Sequence, residues 1–318
     1  MTRAGGGNPL PVSVHDLNRP PKGWLRSFFS MTGIPSPIST TAGVRAMPSP
    51  LLLWNHLEAL IHRCIVHECC VLFLDYDGTV APIVEDPAAA LMGPAVQHVL
   101  TALAQHPRYR VGIVSGRALA DLRTRVEGRG LYLAGNHGLE IEGPGIRYQH
   151  PEVWQLRPEL DALAQAMTGD LEAIPGAWVE DKGLTLSVHF RRVPPARVAE
   201  VRARLIRHAA PGIDAGRFVL RTGKAVLEIR PRVQWSKGEA VSWILEQIRL
   251  ERPVANVLAL YLGDDDTDED AFRVLVSAGV GIVVGNDRHG SAAHYYVEST
   301  EEVEQLLTVL STLSWPAT

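Results

Sequence analysis

The sequence predicts an α/β protein: a doubly wound, Rossmann-like parallel-sheet core with an inserted α+β cap domain. Apolar runs without polar members alternate with helical patterns, which is typical of a parallel sheet covered by helices on both faces. Each of these runs ends in polar or acidic residues, at the edge where open α/β sheets bind ligands. Between residues 143 and 231 the strands alternate apolar and polar side chains instead, which indicates an antiparallel sheet with one exposed face.

The size and composition of the chain fit a globular protein of two domains. It has 318 residues, 46% hydrophobic and 21% charged, with a formal net charge of −4. This charge gives no attraction for nucleic acid or for an anionic membrane surface, and no apolar run approaches the roughly 20 residues that span a bilayer. The N-terminus lacks the apolar core of a secretion signal. We therefore expect a cytoplasmic monomer that binds neither nucleic acid nor membrane.

The three cysteines, Cys64, Cys69 and Cys70, are odd in number, which argues against a disulfide framework. Their spacing with His62 and His67 fits no standard zinc site. We interpret them as buried or half-buried thiols.

The predicted elements follow one another in three regions. Residues 1–50, rich in Gly, Pro, Ser and Thr, are expected to form a flexible N-terminal extension with a short apolar patch at 24–29. Residues 51–143 and 232–318 form the core, with helices near 51–64, 94–104 and from 236, and strands at 71–74, 109–114, 131–134, 257–262 and, last, 279–284. Residues 144–231 form the cap, with strands at 185–191 and 225–230 and an amphipathic helix at 196–209.

Two carboxylates follow the first buried strand. Asp75 and Asp77 stand two residues apart, and side chains at i and i+2 of a strand point the same way. We therefore expect both to project from the strand's C-terminal end. Adjacent carboxylates are costly without a cation or a proton between them, so the pair favours a hard ion such as Mg²⁺ and offers a nucleophile beside a general acid/base.

Polar residues also follow other predicted strands or begin a helix: Ser115, Lys237 and the acidic run 264–268. Taken with Asp-x-Asp-Gly-Thr at 75–79, their order resembles the haloacid-dehalogenase superfamily of phosphohydrolases. The resemblance implies that Asp75 is the nucleophile that becomes an aspartyl-phosphate, and that Asp77 protonates the leaving alcohol and later deprotonates water. It further implies the phosphoryl and metal contacts: Ser115 and Lys237 on the phosphoryl oxygens, and Asp75, the carbonyl of Asp77 and Asp264 on Mg²⁺, supported by Asp265 and Asp268.

The position of the cap narrows the resemblance. The stretch 78–114 holds only a loop, a helix and a strand, whereas 116–236 has room for a cap, as in sugar-phosphate phosphatases of the superfamily. Residues 74–83, 115–117, 135–140 and 263–272, with cap segments 179–185, 189–191 and 223–231, resemble trehalose-6-phosphate phosphatases. The resemblance implies that the substrate is bound by Arg117, Asn136, His137, Glu180, Lys182, Arg191, Lys224 and Glu228.

Two other functions stay open at this point. One is a sucrose-phosphate or general hexose-phosphate phosphatase of the same architecture, for which the cap carboxylates Glu180 and Glu228 would matter little. The other is a sugar-phosphate-binding regulator without catalysis. Such regulators usually lose the nucleophile, the lysine or a metal-binding carboxylate, whereas all of these are present here: Asp75, Asp77, Lys237 and Asp264. Without the family, the cap charges also fit a solvated sheet face with cross-strand ion pairs, and His189 fits a packing residue.

Overall fold

The computed structural model describes residues 49–84, 86–223, 225–251, 256–285 and 290–315. A nine-stranded sheet runs in the order β1-β13-β12-β11-β2-β3-β4-β5-β6, and a four-stranded sheet runs in the order β7-β8-β10-β9. The strands are β1 Leu51–Leu52, β2 Cys69–Leu74, β3 Tyr109–Val114, β4 Leu131–Gly135, β5 Glu140–Gly143, β6 Ile146–Gln149, β7 Trp178–Asp181, β8 Leu186–His189, β9 Phe218–Gly223, β10 Val226–Pro231, β11 Val257–Gly263, β12 Gly279–Val284 and β13 Tyr295–Val297.

Helices connect the strands, and most of them bury one apolar face. In chain order they are α1 Leu57–Val66, α2 Pro94–Gln105, α3 Leu119–Arg125, α4 Pro151–Gln155, α5 Arg157–Leu171, α6 Pro195–Asp214, α7 Lys237–Glu251, α8 Glu269–Leu275 and α9 Thr300–Ser311. Helix α2 illustrates the pattern, because Pro94 occupies its first turn and Val96, Leu100 and Leu103 are buried on one side. None of the helices in the described ranges combines the length and apolar character needed to cross a bilayer.

Strand β2 lies at the centre of the larger sheet. All six of its residues are buried, and it pairs in parallel with β11 on one side and β3 on the other. The strands from β1 to β4 in the spatial order are all parallel, and β5 and β6 add an antiparallel hairpin at one edge. The C-terminal ends of β2, β3, β4 and β11 therefore meet at one edge. This arrangement confirms the predicted fold class.

The smaller sheet is antiparallel throughout and is covered on one face by α5 and α6. Leu186 and Val188 of β8 are fully buried there with Leu163 and Leu205 of the two helices. The intervening β8 residues point to the other face, as the alternation in 185–191 predicts.

The structure differs from the sequence predictions at the edges of the sheets. Strand β12 is not the last, because β13 follows it and pairs with the two-residue β1; strands this short carry too little pattern to be recognised. Strand β6 pairs with β5 in the larger sheet, so we propose that the cap begins after Gln149 rather than at residue 144. The predicted N-terminal extension lies outside the described residues as far as residue 48. All three cysteines are buried and unpaired by disulfides.

Candidate active site

Asp75 lies immediately after β2, at the centre of the sheet edge. Its backbone N–H donates to the carbonyl of Leu262 on β11 at 2.8 Å, and the residue is only 4% exposed. The strand ends at Leu74 and a turn begins, in which Gly78 has φ +82°. A Cβ on Gly78 would lie 2.3 Å from Oδ2 of Asp264. The turn therefore brings the chain against Asp264, and only glycine leaves room for that contact.

Asp75 and Asp77 do not point the same way, contrary to the expectation from strand geometry. The i, i+2 rule holds within a strand, and here the chain has already turned. Asp77 accepts two hydrogen bonds from Arg117, at 2.7 Å from Nε and 2.6 Å from Nη2. Arg117 also donates to Asp121 at 2.8 Å. Desolvation alone would lower the pKa of Arg117, but the two carboxylates raise it above its ordinary value.

Lys237, the first residue of α7, reaches the same edge. Its Nζ donates to Oδ1 of Asp75 and to Oδ1 of Asp268, both at 2.7 Å, and its side chain is 2% exposed. Burial disfavours the ammonium form, but the negative charges of Asp268 and Asp75 outweigh it and raise the pKa of Lys237. Lys237 is therefore a buried cation shared between two carboxylates.

Asp268 has all of its oxygens engaged by donors. Oδ1 accepts from Lys237 and, at 2.5 Å, from the hydroxyl of Tyr261. Oδ2 accepts the backbone N–H groups of Asp264 and Asp265, both at 3.0 Å. Burial raises the pKa of Asp268 to about 6, against the opposing charge of Lys237. Asp268 thus fixes both the lysine and the loop that carries Asp264.

A group of carboxylates suited to a metal ion lies beside Lys237. Asp75, Asp264 and Asp268 each place one oxygen within 4.8 Å of the others. Desolvation raises the pKa of Asp75 well above its ordinary value, Lys237 opposes this, and the other acids reinforce it. Three carboxylates against one ammonium leave excess negative charge in a buried space, and an all-oxygen donor set fits a hard divalent cation. The carboxylate oxygens of this group therefore fit a hard divalent cation, such as the Mg²⁺ expected from the sequence.

The remaining residues predicted near the metal or the phosphoryl group are Asp265, Ser115 and Asp77. Asp265 accepts from the N–H and the hydroxyl of Thr267, at 2.8 and 2.6 Å, and lies 4.0 Å from Lys237 Nζ. Burial opposes ionisation of Asp265, but Lys237 and the loop donors lower its pKa. Ser115, buried after β3, accepts the N–H of Arg117 at 3.2 Å. Neither Asp77 nor Asp265 belongs to the close carboxylate group of the described residues.

Asn136 joins the core to the cap. Its Nδ2 donates to Glu140 at 2.8 Å and to the carbonyl of Lys182 at 2.7 Å, while its Oδ1 accepts from Thr185 at 2.9 Å. Asn136 and Thr185 are both fully buried. In this structure Asn136 therefore holds the segment that leads into β8, and its amide is fully engaged by protein.

The cap sheet presents charged residues to the core. Lys182 Nζ lies 3.4 Å from both Glu228 and the carbonyl of Gly116. Glu228 also accepts from Arg230 at 2.6 Å and lies 3.7 Å from Nε2 of His137. Burial would raise the pKa of Glu228, but His137, Lys182 and Arg230 lower it well below its ordinary value. Four of the predicted substrate residues (Asn136, His137, Lys182 and Glu228) are thus part of one core–cap network.

The other predicted substrate residues are more dispersed. Glu180 accepts from Nε2 of His189 at 2.8 Å. Burial opposes ionisation of Glu180, but this hydrogen bond and the charges of Lys182 and Arg117 lower its pKa. Arg191 is exposed, and Lys224 lies outside the described residues.

Several residues of the site were not predicted. Tyr261 sits inside an apolar strand, where nothing marks its hydroxyl as a partner of Asp268. Arg230 and Thr185 follow the alternating pattern of the cap strands and carry no further signal. The sequence pattern predicts only a packing role for His189, because its hydrogen bond to Glu180 depends on the pairing of β7 with β8.

Comparison with known proteins identifies the family. Residues 73–301 match the family model of trehalose-phosphatase. The chain belongs to the trehalose-phosphatase family. A probable trehalose-phosphate phosphatase E of Arabidopsis thaliana is 31% identical over 317 residues, which cover 94% of this chain and 87% of the relative. The resemblance inferred from the motifs is therefore confirmed.

Two further proteins are similar to this chain, one in sequence and one in fold. An uncharacterised glycosyl hydrolase of Mycobacterium tuberculosis is 37% identical over 281 residues, which cover 86% of this chain. The same residues cover only 20% of that much longer relative. The C-terminal domain of a trehalose-6-phosphate phosphatase from C. albicans has the same fold, with a TM-score of 0.69 and 23% identity over 84% of this chain and 100% of that domain.

Proposed function

We propose that this protein is a Mg²⁺-dependent phosphatase that hydrolyses trehalose 6-phosphate to trehalose and phosphate through an aspartyl-phosphate on Asp75. The observation that carries the proposal is the buried Asp75 carboxylate at the end of β2, hydrogen-bonded to Lys237 within the close carboxylate group. Membership of the family and the name of the Arabidopsis relative support the substrate.

In the first step, a carboxylate oxygen of Asp75 attacks phosphorus and the bond to the sugar oxygen breaks. A phosphate dianion repels a carboxylate, so the step needs positive charge on the transferring group. Lys237 supplies part of it, and Ser115 offers a hydroxyl to a phosphoryl oxygen. Asp75, Asp264 and the carbonyl of Asp77 would hold Mg²⁺, which when bound neutralises charge on the phosphoryl oxygens.

Asp77 supplies the proton that the leaving sugar oxygen takes. Both of its oxygens accept from Arg117 in this structure, so at least one of these hydrogen bonds must break before Asp77 protonates the sugar. In the second step Asp77 accepts a proton from water as the water oxygen attacks phosphorus, and Asp75 is released as carboxylate. Arg117 is thus the side chain that positions the acid between the two steps.

The cap supplies the contacts to the sugar. Glu180, Lys182, Glu228 and Arg191 offer charged donors and acceptors for hydroxyl groups, which form charge-assisted hydrogen bonds. The contacts of Asn136 and His137 with Lys182, Thr185 and Glu228 hold the cap against the end of β4, and a cap closed over the bound substrate would exclude water from the reacting group. The monomeric state and cytoplasmic residence expected from the sequence stay predictions, which size-exclusion chromatography and cell fractionation would check.

The experiment is Mg²⁺-dependent phosphate release from trehalose 6-phosphate, sucrose 6-phosphate and glucose 6-phosphate in parallel. We expect a strong preference for the first and complete loss on addition of EDTA. Equal turnover of all three would contradict the assignment of the substrate and leave a general sugar-phosphate phosphatase. Binding of the sugar phosphates without phosphate release would contradict catalysis and favour the regulator.

Replacing Asp75 with Asn tests the nucleophile. We expect Asp75→Asn to release no phosphate because an amide does not attack phosphorus. The fold should persist, since Lys237 keeps its hydrogen bond to Asp268. Circular dichroism would verify the fold, and residual turnover above a trace would exclude Asp75 as the nucleophile.

A further inference from the structure

The core-facing side of the cap sheet carries an aromatic pair that the mechanism above does not use. Glu180, Ser187 and Glu228 are paired across β7, β8 and β10, and Trp178, His189 and Val226 form an adjacent row on the same face. Because side chains alternate along each strand, Trp178 and His189 lie on the same face as the two carboxylates. Glu228 on this face contacts the core residue His137, so the face is turned toward the candidate active site.

The aromatic pair is held in a defined orientation. The rings of Trp178 and His189 are stacked, with centroids 4.0 Å apart and an interplanar angle of 8°. His189 is fixed in turn by its 2.8 Å hydrogen bond to Glu180. Trp178 itself is 44% exposed although it is a large apolar side chain. An oriented and exposed indole beside a carboxylate combines an apolar face with a hydrogen-bond acceptor.

The pair lies near the rim between cap and core. Arg192 lies three residues after His189. Its Nη2 lies 3.3 Å from Oδ2 of Asp86, a core residue between β2 and α2. The N–H of Ala88 lowers the pKa of Asp86, and the charges of Arg192 and His189 lower it further. The positive charge of Arg117, a core residue, also lowers the pKa of Glu180. Along the same segment, Lys182 lies 3.4 Å from the carbonyl of Gly116 in the core, and Trp178 lies four residues before it, at the far end of β7. We therefore expect a molecule whose phosphate sits at Asp75 to reach Trp178 only with a part remote from the phosphate.

We propose that Trp178, stacked on His189, is a specificity-determining platform for the second, non-phosphorylated sugar ring of the substrate. A pyranose has an apolar face of C–H groups that packs on an aromatic ring, and hydroxyls at its edge that reach Glu180. The inference rests on the proposed function, because it requires a disaccharide phosphate. If the pair served only to stabilise the sheet as a cross-strand contact, its loss would not distinguish one substrate from another.

The test compares steady-state kinetics on trehalose 6-phosphate and glucose 6-phosphate, with Mg²⁺, for four proteins. These are the wild type, Trp178→Ala, the conservative Trp178→Phe, and Trp154→Ala as a control. Trp154 is a matched control because it is 54% exposed and lies on the short helix α4. We expect Trp178→Ala to raise KM for trehalose 6-phosphate about tenfold, the effect of losing one aromatic contact of about 1.4 kcal/mol.

The pattern across substrates and variants decides the outcome. We expect kcat on trehalose 6-phosphate to change less than KM, KM for glucose 6-phosphate to rise much less, and Trp178→Phe to recover most of the loss. An unchanged KM for trehalose 6-phosphate, or an equal change for both substrates, would overturn the platform. If the wild type does not hydrolyse trehalose 6-phosphate, the proposed function fails and the platform fails with it; if only the variants behave otherwise than expected, the platform alone is wrong.

Discussion

At the scale of single residues, Lys237 determines the electrostatics of the site. Its ammonium group is buried between two buried carboxylates, those of Asp75 and Asp268. The hydroxyl of Tyr261 adds a further donor to Asp268. Since the four donors around Asp268 engage both of its oxygens, we propose that Asp268 positions Lys237 and the loop, and that Asp75 and Asp264 are the side chains left to bind a cation.

Replacing Lys237 with Ala should destabilise the fold as well as abolish turnover. The variant leaves two buried carboxylates without their shared cation, and removing one partner of a buried ion pair costs about 3–5 kcal/mol. Urea unfolding in EDTA measures this loss, which should shrink at low pH as the carboxylates take up protons. A loss below about 1 kcal/mol would contradict the role given to Lys237.

His137 should make the stability depend on pH. Burial lowers its pKa to about 4 in the folded protein, and Arg230 acts in the same direction while Glu228 opposes it. The ordinary value is about 6.5, so the unfolded chain binds a proton between pH 6.5 and 4 that the folded protein does not. The contribution of His137 to the free energy of unfolding therefore falls as pH falls through that range, by about 1–3 kcal/mol.

Replacing His137 with Asn isolates this contribution. Unfolding free energies of the wild type and His137→Asn, measured at pH 7 and pH 5, should differ less at pH 5 than at pH 7. A gap that stays constant or widens at pH 5 would show that His137 is protonated in the folded state.

At the scale of elements, the turn after β2 decides where the reactive groups point. The φ of +82° at Gly78 redirects the chain and brings it against Asp264. Asp75 consequently faces Lys237 while Asp77 faces Arg117. The short loop 264–268 is fixed by a different means: the Asp268 side chain accepts hydrogen bonds from the backbone N–H groups of Asp264 and Asp265.

Gly78→Ala should damage the site far more than its backbone strain alone explains. A Cβ there would displace the Asp264 carboxylate, so we expect a loss of Mg²⁺ affinity, measured by calorimetry, and of turnover. Gly145→Ala is the matched control, because Gly145 has φ +70° but no heavy atom within 4 Å of the added Cβ. The control should cost about 1–3 kcal/mol of stability and leave Mg²⁺ binding intact. Equal effects of the two substitutions on Mg²⁺ binding would contradict this explanation.

The elements with strong apolar patterns were predictable from the sequence, and those defined by pairing were not. Strands 109–114 and 279–284 were predicted with the bounds that β3 and β12 have, because uninterrupted buried runs leave little ambiguity. The two-residue β1 depends on a distant partner for its existence. The contact of Arg117 with Asp77 likewise depends on a turn geometry that residue spacing does not encode.

At the scale of the whole molecule, the cap and the larger sheet share one polar network. Asn136, directly after β4, binds both Lys182 and Thr185, and His137 approaches Glu228. The motifs predicted that these residues serve one site, because they lie in segments that resemble one family. Their mutual contacts were beyond prediction, since they depend on how the cap packs against the core.

A cation bound to the carboxylate group should stabilise the folded protein as a whole. A ligand that binds only the folded state adds about 2.7 kcal/mol at a concentration 100 times its Kd. We expect the thermal midpoint to rise with added Mg²⁺ in the wild type and to respond much less in Asp264→Asn. A midpoint indifferent to Mg²⁺ in the wild type would contradict the metal site, whatever the result of an activity assay.

The most direct measurement is to trap the covalent intermediate during turnover of trehalose 6-phosphate. Borohydride reduces an acyl phosphate to an alcohol, so peptide mass spectrometry would locate the carboxylate that had been phosphorylated. The account predicts reduction at Asp75 alone, only when both substrate and Mg²⁺ are present, and none in Asp75→Asn. Reduction at another carboxylate, or turnover that continues in Asp75→Asn, would contradict it.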